Sequence, residues 1–137
     1  MEAKDIWRSV QAGLVIFGGW LGMALGGFDG FLYALLVLIA VDYATGIMCA
    51  IIEKKLSSEI GFRGIFKKVL ILVLVGIGNA LDQYVLGTGE TVRTAVIFFY
   101  ASNEGVSLLE NAARIGLPIP EKLRQILAQL HERGSEK

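Results

Sequence analysis

An all-α, multi-pass membrane fold with about four transmembrane helices is predicted from three observations. Of the 137 residues 54% are hydrophobic, mean hydropathy is +0.59, and the apolar residues gather into four segments separated by turn-like breaks. A span needs about 20 mostly apolar residues to cross roughly 30 Å of hydrocarbon at 1.5 Å per residue. The four segments cover about 12–28, 31–52, 69–86 and 94–113. They belong to a transmembrane helical domain, 1–116, followed by a cytoplasmic amphipathic tail, 117–137.

The first segment is short and glycine-rich. Gly18, Gly22, Gly26 and Gly30 repeat in i+4 register, the small-xxx-small pattern that lets two helix backbones approach closely in lipid. Packing against another span of the same chain uses such a groove as well as self-association does. Gly27-Phe28-Asp29-Gly30 then reads as a tight hairpin.

The second segment is the strongest. Its eleven Leu, Ile, Val and Phe residues, at about −0.3 to −0.6 kcal/mol each, outweigh the roughly +2.5 to +3.5 kcal/mol of the one central acid, Asp42. In the connection that follows, "EKKLSSEIGFRGIFKK", Ser57 or Ser58 reads as a helix cap, and Ile60, Ile65 and Phe66 suit the membrane surface. A short interfacial helix is expected there, separate from the third span. Gly87-Thr88-Gly89-Glu90 marks the second hairpin.

The fourth segment is the most polar, with seven strongly apolar residues set against Asn103, Glu104, Glu110 and Asn111. It requires protein neighbours or water on its polar side. "GLPIP" then ends the helix, Gly116 by a left-handed cap and Pro118 and Pro120 by their missing donors. In the tail, Leu123, Ile126, Leu127 and Leu130 recur at helical spacing, so an amphipathic helix is expected on the lipid headgroups or against copies of itself, with a solvated, partly frayed end as the alternative.

Of the 13 lysines and arginines, all but Arg93 fall before the first segment, between the second and third, or after the fourth. The positive-inside rule then puts both termini and the central loop in the cytoplasm and two small hairpins outside. A cleaved signal peptide ending near "MALGG" is the competing reading of the N-terminus; it leaves three spans.

Asp42, Thr45, Gly46 and Cys49 stand at i, i+3, i+4 and i+7, a small and polar stripe on a greasy helix, with Tyr43 beside it. Tyr100, Asn103, Ser107, Glu110, Asn111 and Arg114 form a similar stripe on the fourth helix, and Gly78, Asn79 and Asp82 share a face on the third. Three such faces are able to converge. Interhelical hydrogen bonds worth about 0.6 to 2 kcal/mol each and a wet, pore-facing role are both open uses.

Other chemistry fits badly. One cysteine and one histidine rule out an intramolecular disulfide and fall short of a Cys/His metal site. "GIGNAL" lacks the third glycine of a dinucleotide loop, no nucleophile sits near the single His131, and an Asp42–Asp82 dyad has no motif around either acid. Balanced charge gives no field to recruit nucleic acid. No catalytic residues, metal or cofactor are expected.

Three blocks carry a family resemblance: "DYATGIMCAIIEKKLSSEIGFRGIFKKV", "LD" at Leu81-Asp82, and "RTAVIFFYASNEGVSLLENAARIGLPIPEKL". Together they resemble the bacteriophage holins that include the toxin-secretion and phage-lysis holins of Gram-positive bacteria. The resemblance implies a small cytoplasmic-membrane protein that assembles as a homo-oligomer in the bilayer. At a set time it permeabilises the membrane, and an endolysin or a secreted toxin leaves. The matching motif positions are Asp42, Tyr43, Thr45 and Gly46, then Asn103, Glu104, Gly105, Glu110 and Asn111. A small ion channel or carrier using its intramembrane carboxylates, and a structural membrane adapter, are the alternatives; no inverted repeat favours a transporter.

Overall fold

The computed structural model describes residues 1–135. It is all-helical, with no strand among the described residues. Five α-helices follow one another: α1 (Ala3–Ala24), α2 (Gly30–Ile52), α3 (Ser58–Ala80), α4 (Thr91–Ile115) and α5 (Glu121–Ser135), with a π-helical segment, Leu81–Leu86, prolonging α3. The first four run 22, 23, 23 and 25 residues, hence about 33 to 38 Å at 1.5 Å per residue.

Local chemistry explains the helix ends. Asp29 Oδ1 accepts from Leu32 N at 2.9 Å and Ser57 Oγ from Ile60 N at 3.2 Å, so α2 and α3 each begin on a side-chain cap. Three helices close on paired 6→1 and 5→2 hydrogen bonds: Gly27 N to Gly22 O with Gly26 N to Met23 O, Lys55 N to Ala50 O with Lys54 N to Ile51 O, and Leu117 N to Ala112 O with Gly116 N to Ala113 O. The residue that turns left-handed is Gly26 (φ 88°) in the first and Gly116 (φ 107°) in the third, but Lys54 (φ 56°) in the second.

Helices α2 and α4 form the main pair, α3 packs on both, and α1 touches the rest sparingly, through α3. A small apolar core of Leu25, Leu32, Leu35, Ile39, Ile71, Val75 and Ile97 joins them. Gly78 lets α3 come close to the backbone of α4, where an added Cβ would lie 3.2 Å from Arg93 Cα.

Two expectations are corrected. There is no separate interfacial helix: α3 runs unbroken from Ser58, because no proline or turn residue interrupts Phe66–Leu70, and Lys67 and Lys68 are therefore helix-interior residues. Nor do the four glycines form one groove. Helix α1 ends at Ala24, so Gly26 lies in the turn and Gly30 opens α2; Gly18 faces open space, and Gly22 meets the ring of Phe28, 2.6 Å from an added Cβ. In the tail, Leu123 and Ile126 are exposed, while the side chains of Leu127 and Leu130 lie outside what the structure describes.

Candidate functional site

Polarity in this molecule is inverted. Asp42, Asp82, Arg93, Glu104 and Asn111 are buried, whereas Leu14, Val15, Phe17, Trp20, Val69, Leu70, Phe98 and Phe99 are exposed. The buried polar groups form two clusters.

The first joins the middles of α2, α3 and α4. Lys68 Nζ donates to Asp42 Oδ2 and to Glu104 Oε2, bridging the two acids. Asn111 Nδ2 donates to Asp42 Oδ1 at 3.0 Å and to Thr45 Oγ1 at 3.1 Å. Cys49 Sγ donates to Asn111 O at 3.3 Å. Gly46 leaves room for this: an added Cβ would stand 3.7 Å from Asn111 Nδ2. The stripe on α2 thus faces α4. Tyr43 turns to α3, its ring against Gly64 and its hydroxyl donating to Gly61 O at 3.2 Å. A buried pair of acids sharing one ammonium is stable only while all three stay together, because removing the cation leaves charge uncompensated.

Beside this cluster lies an open cleft of about 650 Å³, lined by Asp42, Lys68, Tyr100, Asn103, Glu104 and Ser107 together with Leu70 and Leu74. Asn103 and Glu110 are otherwise exposed, and nothing stands near Gly105 where a Cβ would go. The inward line of α4 is therefore Ile97, Glu104 and Asn111, at seven-residue spacing, rather than the stripe through Asn103 and Glu110.

The second cluster lies at the other end. Arg93 is fully buried; its Nε donates to Leu25 O at 2.5 Å, Nη2 to Gly27 O at 2.8 Å and Nη1 to Asp29 Oδ2 at 2.6 Å. That planar fork reaches two carbonyls and a carboxylate from three separate nitrogens in fixed directions, where an ammonium would have to serve all three from one. The guanidinium beside Asp29 holds its carboxyl below the usual carboxylate range. Asp82, on the π-helical segment, accepts from Val92 N at 3.0 Å, from Arg93 N at 2.8 Å and from the Thr88 hydroxyl. It caps α4 from outside, where the helix dipole favours an anion and the cap residue Glu90 supplies no side-chain bond. Asn79 Nδ2 donates to Ala24 O at 3.3 Å, tying α3 to the end of α1.

The three polar faces therefore do not converge on one point. Asn79 and Asp82 belong with Arg93, and Asp42 with Glu104; along α4 the clusters stand eleven residues apart, about 16 Å. This excludes the Asp42–Asp82 dyad. Charge counting by loop hides Lys68 and Arg93, which stand next to the turn-like breaks in the sequence. The signal for Lys68 is the cap at Ser57 eleven residues earlier with no proline between. The arginine offered none beyond standing alone.

A third contact closes the end near Cys49. Arg114 Nη2 donates to both oxygens of Glu53, at 2.8 and 2.7 Å, which lowers the Glu53 carboxyl and raises the Arg114 guanidinium from their ordinary values. Among the described residues no group of His, Cys, Asp and Glu has the arrangement of a metal site.

Comparison with known proteins gives this geometry a family. The model of the bacteriophage holin family matches residues 19–132. An uncharacterized 14.9 kDa protein of Clostridium perfringens is 42% identical over 130 residues, covering 95% of this chain and 98% of the relative. An uncharacterized protein of Listeria monocytogenes is 40% identical over 127 residues, 93% and 90% of the two chains. A probable holin of Bacillus phage phi105 is 32% identical over 107 residues, 78% of each. No solved structure matches. The chain belongs to the bacteriophage holin family.

Proposed function

We propose that this protein is a holin: it accumulates in the bacterial cytoplasmic membrane, assembles with copies of itself, and at a set time opens the membrane so that an endolysin or a toxin escapes and the cell lyses. The observation that carries the reading is the inverted polarity, an apolar exterior around buried ion pairs, in a chain of this family. Water offers no reason to expose Leu14, Phe17, Trp20, Phe98 and Phe99 while burying Arg93 and Glu104; hydrocarbon does.

In this reading α1 to α4 all span, with both termini and the α2–α3 turn in the cytoplasm. Among the described residues one helix, α2, is long and apolar enough to cross a membrane by composition alone. The other three carry charge or weaker hydropathy, and for α3 and α4 the charged groups Lys68, Arg93 and Glu104 are paired inside the bundle rather than offered to lipid. The silent state keeps these groups satisfied within one chain, and assembly turns the Asp42–Glu104 seam and its cleft toward water, two packings of similar free energy. Nothing in this scheme calls for a catalytic residue or a cofactor.

The cleft beside two carboxylates favours a second reading, a small cation channel or carrier. Induction together with a muralytic enzyme separates the two. Abrupt lysis after a delay, dependent on the enzyme, is the expected outcome; gradual loss of ions with the enzyme retained inside favours the channel and defeats the holin reading.

A further inference from the structure

We propose that the first three turns of α3 form a binding site for one anionic glycerophospholipid of the cytoplasmic leaflet. The inference rests on the membrane reading above and adds a specific ligand to it.

Phe62 and Phe66 stand one turn apart on α3 with their rings stacked, centroids 6.3 Å apart and planes at 24°. Both are more than half exposed, as is Leu70 one turn further on. Arg63 and Lys67 occupy the adjoining edge at the same i, i+4 spacing. Together with Glu59 these side chains line a shallow groove of about 610 Å³ with apolar walls, along which Arg63 and Lys67 lie.

Charge decides what the groove takes. Two cations face a single carboxylate, Glu59, which holds Arg63 at 3.6 Å in an exposed pair. Such a pair contributes little in water and yields readily to a better acceptor. A phosphodiester is that acceptor, since it offers two oxygens to a guanidinium fork and carries a full charge that Lys67 also meets. The neighbouring Lys68 takes no part, because it points inward to Asp42 and Glu104. Lys54 and Lys55, exposed in the turn just before α3, add to the positive field at the same level.

Depth selects a lipid over an acidic peptide. Below Lys67 the same face continues as Leu70, Leu74 and Ile77, all exposed. From Lys67 to Ile77 the helix descends ten residues, about 15 Å, which is half of the roughly 30 Å hydrocarbon layer. Headgroup and acyl chains would thus find their own chemistries in order along one helix. The two phenylalanines stand at the depth of Arg63 and Lys67, beside the headgroup, and Leu70 begins the acyl-chain face below them.

The test uses the full chain purified in a mild non-ionic detergent, with native mass spectrometry of lipid retained after adding phosphatidylglycerol or phosphatidylcholine with identical acyl chains. The expected result is one retained lipid, phosphatidylglycerol preferred at least fivefold. Arg63→Gln and Lys67→Gln each cut that preference at least threefold, Glu59→Gln raises it, and Lys122→Gln in the tail leaves it unchanged. Because Arg63, Lys67 and Glu59 are exposed, helix content by circular dichroism stays the same in these variants. Equal retention of the two lipids, a preference untouched by Arg63→Gln and Lys67→Gln, or tighter retention of an oligoglutamate peptide than of phosphatidylglycerol would overturn the site. A chain that proves freely soluble without detergent overturns the membrane reading itself, which separates the two failures.

Discussion

Arg93 Nη1 lies 2.6 Å from Asp29 Oδ2, so a guanidinium at the start of α4 is clamped to the cap residue of α2, 64 residues away in the chain. Asp29 keeps its other duty, accepting from Leu32 N, while Arg93 also fastens the carbonyls that end α1. One side chain therefore holds the ends of three helices. Replacing it leaves two carbonyls and a carboxylate without their donor, and Arg93→Gln is expected to cost about 3 kcal/mol in detergent-micelle unfolding. Asp29→Asn, which keeps an oxygen for Leu32 N and leaves both carbonyl bonds to Arg93, is expected to cost about 1 kcal/mol. Equal losses in the two would show that the fork is not what holds the turn.

The same contact sets an acid limit. The folded carboxyl of Asp29 is lowered below its ordinary 3.8, so its contribution is complete above that value and is lost as the pH falls through the lowered one. Hydrogen exchange at Gly26 and Gly27 should accelerate beyond the intrinsic rate change as the pH falls below 3.8, and not above it. Asp29→Asn should abolish the excess.

Lys68 gives a prediction of opposite sign for single and combined changes. Lys68→Gln alone leaves Asp42 and Glu104 facing each other without a cation and should destabilise the bundle by about 3 to 5 kcal/mol. Adding Asp42→Asn and Glu104→Gln to it should recover most of that loss, since three neutral polar groups are able to hydrogen-bond in the same space. In cells, Asp42→Asn or Glu104→Gln alone should change the moment of lysis more than the amount of protein in the membrane. Normal timing in both, measured by culture turbidity, would detach this cluster from function.

The glycines divide by what surrounds them. Gly26 has φ 88° and an added Cβ would lie 2.5 Å from Arg93 Nε, so Gly26→Ala should lose more than about 2 kcal/mol through strain and a displaced guanidinium. Gly18, with open space around it inside α1, should gain about 0.5 to 1 kcal/mol on replacement by Ala. Gly22→Leu should disrupt packing, and Phe28→Ala should relieve it, because the obstructing atoms belong to that ring. A Gly18→Ala loss as large as that of Gly26→Ala would mean that α1 packs on something other than its own chain.

Lys54 stands where helix ends favour glycine, at φ 56°. Lys54→Gly removes a strain of about 1 kcal/mol and should raise the unfolding midpoint slightly, with Lys55→Gly, one residue on, showing no such gain.

The amino-acid sequence by itself determined the all-helical class, through apolar runs broken by glycine, aspartate and proline, and it singled out Asp42 and, without telling inward from outward, Asn103, Glu104, Glu110 and Asn111 as residues with no business in an apolar run. These are local properties: whether a segment winds into a helix, and whether a side chain suits hydrocarbon, depend on residues within a turn or two. Only the tertiary structure decided which charges meet. It took Lys68 out of a loop and set it between two acids on other helices, and it made a clamp of the one arginine that the charge count placed on the far side. Those pairs join residues 26 to 64 positions apart. Their formation turns on how far α3 extends and how α4 is rotated about its axis, quantities fixed by packing between helices and absent from the spacing within any one of them.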